Sequence, residues 1–356
     1  MQEDSKIQRI SLKFSDHEDE PEFLLVELDK ELQNLIEHNP DEQIVFKAGL
    51  DSKSSVMCTR NTTYSVRQLI QSNSLLLFQS FHPSELTLRD SKHSYLELEQ
   101  IFGSIIIEDK ISYWNEDDSE KQVPSSISLQ DFISQVPASE NEIRTFLGLN
   151  FTILKNNTLY RMSPSYIMTL MDWMFAVIQQ LRADFSAIDV KKIKEIAKED
   201  EVDIDALYSI VWSISKSPFL SELDIVAIDK SLVCFWIGRF LLEDAIIMEI
   251  SQFLLKWEEK LPENCREFVS LDMLKGFYFY SGTNTIQYFS SSQLPRDPTR
   301  CFQVLFDIKS KWRYDEIWPF VETLAVDKSK VEALLLKYGR KQATKNGVYI
   351  NSRSTW

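Results

Sequence analysis

Glycine and histidine are scarce in this sequence, and both shortages narrow its possible functions. The 356 residues include 8 glycines and 4 histidines. No Gly-x-x-x-x-Gly-Lys-Ser/Thr or Gly-x-Gly-x-x-Gly segment is present, so the sequence lacks the loops that cradle nucleotide phosphates. All four histidines fall within the first 93 residues, without metal-ligand spacing and without a neighbouring nucleophile motif. We therefore expect that the chain is not an enzyme and that it holds no metal and no cofactor.

Long apolar runs and paired cysteines are also missing. The best candidates for a membrane span are interrupted by Asp172, Glu243 and Asp244, so we expect none. The first 22 residues are polar and mostly acidic, unlike a signal peptide. The cysteines are too widely spaced for a zinc motif or a compact disulfide framework, which favours buried free thiols in a reducing compartment. They are Cys58, Cys234, Cys265 and Cys301.

Positive charge is in the minority overall, but it is concentrated at one end. The formal net charge is −15, from 39 Lys and Arg against 54 Asp and Glu. Residues 296–356 hold 12 basic and 7 acidic side chains, a net of +5, so the other 295 residues hold 27 and 47, a net of −20. The asymmetry predicts an anionic partner for the basic end, and an acidic bulk suits a subunit docked to other proteins.

The basic end has the pattern of a helix followed by a hairpin. Lys330, Lys337 and Lys341 are spaced i, i+7, i+11, which places them within about 40° of one another around one helix. Gly347 then opens a β-prone run. This order is typical of a winged helix-turn-helix. An apolar stripe at i, i+3, i+4 and i+7 runs beside the lysines, in Val331, Leu334, Leu335 and Tyr338.

Six side chains are therefore candidates for binding DNA. We expect four of them on the helix presented to duplex or single-stranded DNA and two beside it on the wing, with contacts mainly to phosphates. The alternative is a solvated helix with ordinary surface lysines, or a face that docks to an acidic protein. The candidates are Lys330, Lys337, Arg340, Lys341, Lys345 and Arg353.

Strand-like segments dominate the first third of the chain. They recur about every ten residues between turn formers such as Ser72-Asn73-Ser74, which indicates a small sandwich or barrel. About 100 residues of short strands are thin for a self-sufficient barrel, so a partner chain is expected to complete it. The predicted strands are Gln43–Ala48, Ser55–Thr59, Tyr64–Gln68 and Leu75–Phe78.

Helical signals dominate the rest. Ser139 and Glu142 form a capping box, Asn156-Asn157 marks a hairpin turn, and Ser163-Pro164 begins a long helix. Aromatic side chains on a second hairpin, including Tyr278, either stack on bases or pack against helices, and packing is the simpler account.

The fold class predicted from these signals is α+β, with half of a small β-barrel followed by tandem winged-helix modules. The predicted segments are an acidic arm at 1–22, a β domain at 23–115, a linker at 116–127 and winged helices at 128–182, 189–292 and 296–356.

Two blocks of the sequence resemble the Dcc family, named for defective sister chromatid cohesion. The first block contains Phe46-Lys47, Val56-Met57-Cys58-Thr59, Thr63-Tyr64-Ser65-Val66-Arg67 and Ser72-Asn73-Ser74-Leu75-Leu76-Leu77. The second block contains Arg300-Cys301-Phe302, Leu305-Phe306, Lys311-Trp312, Leu334-Leu335-Leu336-Lys337-Tyr338 and Val348-Tyr349-Ile350-Asn351-Ser352-Arg353. The two blocks occur in the family's order, while the middle of the chain is divergent.

The resemblance implies a nuclear adaptor subunit of the alternative replication factor C clamp loader. It implies a triple barrel shared with the small partner subunit and the C-terminal tail of the large subunit, followed by three winged helices. It also implies action on the sliding clamp PCNA, docking to the catalytic part of DNA polymerase epsilon and support of sister chromatid cohesion, with the ATPase in other subunits. The alternative is a winged-helix scaffold that binds only protein in another large regulatory complex.

Overall fold

The computed structural model describes residues 11–14, 23–49, 54–82, 85–107, 110–114, 127–215, 225–345 and 347–353. Contacts divide the chain into two compact units, residues 1–101 and 102–356. Helices and strands are both abundant, which confirms the predicted α+β class. The predicted arm at 1–22, apart from 11–14, and residues 116–126 of the predicted linker lie outside the described residues. The boundaries of the three predicted winged helices stay predictions.

The first unit is a five-stranded sheet with one helix. The sheet has the order β1-β5-β4-β3-β2; β1 pairs parallel to β5 and the other pairs are antiparallel. Among the described residues the sheet is open and does not close into a barrel. Its elements are β1 (Ser11–Phe14), α1 (Lys30–His38), β2 (Val45–Ala48), β3 (Ser55–Cys58), β4 (Thr63–His82) and β5 (Glu85–Ile101).

The predicted turn at Ser72-Asn73-Ser74 is wrong, because these residues lie inside β4. β4 spans 20 residues and pairs with β5, a strand that the sequence pattern did not indicate. The register of this pair shifts between Ile70 and Leu75. The shift accommodates the turn formers as an irregularity, since cross-strand pairing along the whole hairpin outweighs their local preference.

The second unit begins with two short helices and a hairpin, as the sequence predicts. Ser139 and Glu142 form the capping box at the start of α3, and Asn156 and Asn157 turn the hairpin with φ of 50° and 64°. Ser163 caps α4. These elements are α2 (Leu129–Gln135), α3 (Glu140–Leu149), β6 (Thr152–Lys155), β7 (Thr158–Arg161) and α4 (Pro164–Gln180).

The remaining elements repeat one order: a helix, a strand that runs directly into a second helix, further helical structure, then one or two strands. The first segment follows α4 with β8 (Ile188–Asp189), α5 (Val190–Glu199), α6 (Ile204–Ile214) and β9 (Ile225–Val226). The second has α7 (Lys230–Ala245), β10 (Ile247–Glu249), α8 (Ile250–Lys260), 3₁₀ turns Glu263–Phe268 and Leu271–Leu274, β11 (Tyr278–Tyr280) and β12 (Thr285–Tyr288). The third has α9 (Pro298–Ile308), β13 (Lys311–Arg313), α10 (Tyr314–Val321), α11 (Lys328–Tyr338), β14 (Gly339–Thr344) and β15 (Gly347–Ser352).

The hairpin β11–β12 contributes to two cores at once. Tyr278 and Ile286 pack into the large core of α4 to α8, whereas Phe279 packs into the core of the third segment. The ring centroid of Phe279 lies 5.9 Å from that of Trp312. The aromatic side chains of this hairpin are therefore packing residues, which agrees with the simpler of the two interpretations drawn from the sequence.

Candidate nucleic-acid interface

The third segment, Pro298–Ser352, positions the basic residues of the chain's end. Asp327 caps α11 by accepting a hydrogen bond from Ser329 N at 2.8 Å. Bonds from the backbone and side chain of Ser329 hold the pKa of Asp327 below its usual range. The helix ends at Gly339, where a Cβ would lie 2.4 Å from Cγ2 of Ile350. Only glycine permits this approach, and so the chain passes directly from α11 into a strand.

This early end of α11 corrects the predicted placement of two site residues. Arg340 and Lys341 are in β14 and not on the helix. The spacing of Lys341 from Lys330 fits a helical repeat, but Gly339 interrupts the helix and residues 339–344 pair with β15 instead. Sequence periodicity could not detect this change, because the pairing partner lies further along the chain.

The helix itself presents two of the predicted cations. Val331 and Leu335 are 1% exposed and anchor α11 in the core, as the apolar stripe predicts. Lys330 and Lys337 are exposed, lie about 20° apart around the axis and are separated by about 10.5 Å along it. The ammonium of Lys337 lies 5.1 Å from the centroid of the Tyr338 ring. Two positive charges thus follow one side of the helix.

The outer face of the sheet gathers cations that the sequence analysis missed. The register aligns Arg340 with Asn351 and Asn351 with Lys311, and it aligns Tyr349 with Arg313. Side chains directly opposite one another share a face of a sheet. Lys311, Arg313 and Arg340 therefore surround the two central polar residues of β15. Alternation in Lys311-Trp312-Arg313, with a buried tryptophan between two cations, was the available signal for a strand.

The side-chain contacts on this outer face involve polar and charged groups. The ammonium of Lys311 lies 4.4 Å from the centroid of the Tyr349 ring. Asn351 Nδ2 donates to Gln342 Oε1 at 2.9 Å. Arg313 Nε donates to Asp315 Oδ1 at 3.2 Å, with both side chains more than half exposed. An aromatic ring, amides and cations on one surface are suited to phosphate and sugar contacts.

The other three predicted residues are spread around the hairpin. Lys341 lies on the opposite face of β14 from Arg340, and its ammonium is 5.0 Å from the centroid of the Tyr314 ring. Lys345 is in the turn between β14 and β15, and Arg353 follows β15. All three side chains are exposed. The structure thus divides the six candidates between a helix side, two faces of a strand and the ends of the hairpin.

Acidic neighbours are few in this surface. Residues 328–353 contain seven Lys and Arg and one acid, Glu332. Glu332 accepts a hydrogen bond from the hydroxyl of Tyr314 at 3.0 Å. Burial raises the pKa of Tyr314, and this bond acts in the same direction, so the phenol stays protonated and continues to donate. The surface therefore carries a strong positive charge at neutral pH.

Within the residues that the structure describes, no group of three His, Cys, Asp or Glu side chains is placed to hold a metal ion. Among the same residues, no helix combines the length and the apolar character needed to cross a membrane.

The described residues define an α+β protein whose last segment bears a cationic helix and sheet face. The family model of the sister chromatid cohesion protein Dcc1 matches residues 23–321, and the chain belongs to this family. The resemblance drawn from the sequence is thereby confirmed.

Relatives match over nearly the whole length. The chain is 23% identical to sister chromatid cohesion protein DCC1 of Saccharomyces cerevisiae, covering 94% of this chain and 97% of that protein. It is 23% identical to the human protein of the same name, covering 93% and 88%. A probable sister chromatid cohesion protein DCC1 of Dictyostelium discoideum is 24% identical, covering 94% and 95%.

Proposed function

We propose that this protein is a non-catalytic adaptor subunit of the alternative replication factor C clamp loader, which acts in the nucleus on PCNA and DNA. In this role it supports DNA replication and sister chromatid cohesion. Family membership over residues 23–321 carries the proposal, and the matched relatives are named for sister chromatid cohesion. The ATPase of such an assembly belongs to other subunits.

The structure of the first unit supports a role in assembly, because the unit has a small buried core and exposes large apolar side chains. Among its described residues the buried core cluster consists of Leu32, Met57 and Tyr64. In contrast, Ile70 is 82% exposed and Leu76 is 52% exposed on β4. So small a core is marginal for an independent unit of this size. We propose that the C-terminal tail of the large subunit and the small partner subunit cover this surface and complete a triple barrel.

Co-expression tests this part of the proposal. Residues 1–120 expressed alone are expected to be insoluble or to lack a cooperative thermal transition. The same fragment is expected to become soluble with the small partner subunit. A monomeric fragment that melts cooperatively by itself would contradict the shared barrel.

The second unit supports a tandem of winged helices. The order helix, strand, helix, helix, strand, strand of the third segment, with a three-stranded antiparallel sheet, is the winged-helix order. We propose that the module around residues 125–181 contacts the catalytic part of DNA polymerase epsilon. Exposed Leu149 and Leu154 provide apolar contact area there.

Deletion of that module separates the two kinds of partner. Without residues 125–181 the chain is expected to lose polymerase binding and to retain assembly with the clamp-loader subunits. Loss of both interactions, or of neither, would refute the assignment.

The third segment is proposed to bind DNA with little sequence preference. Winged helices place a helix against a groove while the hairpin touches the neighbouring backbone, which corresponds here to α11 and to β14–β15. Contacts to about four to six phosphates would give a fall of log affinity with log salt of about 0.9 per contact on duplex DNA.

Replacement of Lys337 and Lys341 by Glu tests the DNA proposal. The affinity for DNA is expected to fall for unrelated DNA sequences. The slope of log affinity against log salt is expected to become less steep by the contribution of about two phosphate contacts. Val331 and Leu335 are untouched, so circular dichroism should show an intact fold. Unchanged affinity in a folded variant would favour the view that this face only solubilises the end or docks to acidic protein.

Purification from nuclei tests the assembly as a whole. Recovery with clamp-loader subunits and polymerase epsilon is the expected result. Recovery with neither would favour the alternative, a scaffold whose winged helices bind only protein, for which the net charge of −20 outside the basic end provides some support.

A further inference from the structure

A cleft lined mainly by the third segment has a different chemistry from the outer sheet face. It has a volume of about 490 Å³ and opens beside α10. The aromatic rings of Tyr314 and Trp318 lie 5.6 Å apart, tilted by 30°. The cleft is lined by Lys275, Tyr314, Asp315, Trp318, Pro319 and Glu322.

Carboxylates stand on both sides of the indole. Asp315, Trp318 and Glu322 are spaced i, i+3, i+7 along α10 and the 3₁₀ turn that continues it, within about 60° of one another around the axis. Asp315 Oδ1 accepts a hydrogen bond from Arg313 Nε at 3.2 Å, and Asp315 also interacts electrostatically with Lys275. Lys275 is already paired with Asp272 at 2.8 Å. Among the side chains that line the cleft, the two acids Asp315 and Glu322 outnumber the one cation, Lys275, so the lining carries a net negative charge.

Lysines cover the other tyrosine and tryptophan rings of this segment. Trp312, Tyr314, Tyr338 and Tyr349 each have an ammonium within 5.3 Å of the ring centroid. Within the described residues no ammonium or guanidinium takes this position over Trp318, although tryptophan attracts cations most strongly. The lysines are Lys309, Lys341, Lys337 and Lys311, respectively.

We propose that this cleft binds an arginine side chain of a partner protein, presented in an extended peptide segment. A guanidinium stacks flat on an indole and donates two parallel hydrogen bonds to a carboxylate. The indole of Trp318 would provide the stacking surface, and Asp315 or Glu322 would accept the hydrogen bonds. Phosphates are disfavoured by the same carboxylates, so the site does not depend on DNA binding by the third segment.

Peptide titration of the full chain tests the proposal. The probe is an acetylated and amidated Gly-Ser-Arg-Ser-Gly peptide, compared with the same peptide containing citrulline, which keeps the shape but lacks the charge. The readout is the indole N–H NMR signal of Trp318, assigned through Trp318→Phe. The arginine peptide is expected to shift this signal and to bind at least about fivefold more tightly than the citrulline peptide.

Paired variants test the two carboxylates. Asp315→Asn with Glu322→Gln is expected to weaken binding of the arginine peptide about fivefold or more. Asp307→Asn with Glu258→Gln removes two exposed acids that do not line the cleft, and it should change affinity less than twofold. Equal affinity for both peptides, equal losses in both variants, or no shift of the Trp318 signal would overturn the proposal.

Discussion

The second segment, Lys230–Tyr288, and the third segment, Pro298–Ser352, share an element order but use their sheets differently. Both three-stranded sheets have the last strand in the middle, β10-β12-β11 and β13-β15-β14. In both, a fully buried tryptophan donates its indole N–H to a carbonyl of the segment's first helix, Trp257 to Cys234 and Trp312 to Leu305, each at 2.9 Å. The two segments therefore share a strand order, although Trp257 lies in α8 and Trp312 lies in β13.

The outer faces of the two sheets differ. In the second segment Phe279 is 7% exposed, because the third segment packs against it. In the third segment the corresponding face carries Lys311, Arg313 and Arg340 in solvent. Residues 230–288 hold six basic and eight acidic side chains, a net of −2, whereas residues 298–353 hold eleven and six, a net of +5. Among the described residues the outer face of the second segment's sheet is a packing surface, whereas that of the third segment's sheet carries exposed cations.

Substitution of Glu316, at the contact between the two segments, is expected to give the largest change in stability. Glu316, whose side chain is 4% exposed, accepts hydrogen bonds from Lys309 Nζ at 2.6 Å and from Tyr280 N at 3.0 Å. Glu316→Ala leaves both donors without this acceptor, so we expect a loss of about 3 kcal/mol in the free energy of unfolding. Chemical denaturation measures the loss, and hydrogen exchange at the Tyr280 amide should accelerate.

A matched acid lies one residue away. Asp315 pairs with Arg313, and both side chains are more than half exposed. Asp315→Ala is therefore expected to cost no more than about 0.5 kcal/mol. Equal losses for the two alanine variants would show that the two segments are not held together by the buried pair.

Substitution of Gly238 tests how tightly Trp257 is packed. The sign of the change in stability distinguishes a helix-propensity effect from overpacking. A Cβ at Gly238 in α7 would lie 2.3 Å from ring atoms of Trp257, which is fully buried. Helix propensity alone predicts that Gly238→Ala stabilises by about 1 kcal/mol, but overpacking predicts a loss of about 1–3 kcal/mol. We expect the loss, measured by thermal unfolding. Gly282→Ala should be close to neutral, because Gly282 lies in an exposed turn where a Cβ would be 3.6 Å from Oγ1 of Thr285.

DNA affinity should depend on the third segment and not on the second. Lys311→Glu with Arg340→Glu reverses two charges on the outer sheet face, and we expect about tenfold weaker binding at fixed salt. Lys256→Glu with Lys260→Glu makes the same change in net charge on α8, where both side chains are exposed, and we expect less than a twofold change. If both variants lose affinity equally, net charge and not this surface governs binding.

Much of the second unit was predictable because its signals are local. The capping box of Ser139, the turn at Asn156-Asn157 and the helix start at Ser163 all depend on residues within one turn of each other. The buried side of α11 was likewise predictable from the spacing of Val331 and Leu335. Short-range rules are sufficient where the structure is decided within the element.

The misses share a non-local cause. β5 pairs with β4 along its whole length, and that pairing turned the Ser72-Asn73-Ser74 turn signal into an irregularity within a strand. Lys341 lies in β14 and not in the predicted helix, because the helix ends where Gly339 packs closely against Ile350 on another strand. Lys311 joined the candidate site only through the register of β13 with β15. Each outcome depends on a partner that one-dimensional periodicity does not contain.

The smallest expected effect is the loss of stability at alkaline pH. It depends on the buried thiols, which both segments contain. Burial raises the pKa of Cys301 to about 12 in the third segment, and it raises the pKa values of Cys234 to about 12 and Cys265 to about 11 in the second. In the unfolded chain a thiol has a pKa of about 8.5. Because the folded values are the higher ones, the stabilising contribution is complete below about pH 8.5 and is lost as pH rises towards the folded values.

Between pH 9 and 10 the unfolded chain releases the thiol protons and the folded chain keeps them. Each such thiol should therefore lower the free energy of unfolding by about 1 kcal/mol over this interval. Cys301→Ala should reduce this decrease in the free energy of unfolding by the contribution of one thiol, and Cys234→Ala with Cys265→Ala should reduce it by the contribution of two. A loss of packing would lower stability equally at each pH and would not change this comparison. The measurement is urea denaturation at pH 8, 9 and 10 under reducing conditions. Parallel curves for the wild type and the double variant would mean that these thiols are accessible to solvent in the folded chain.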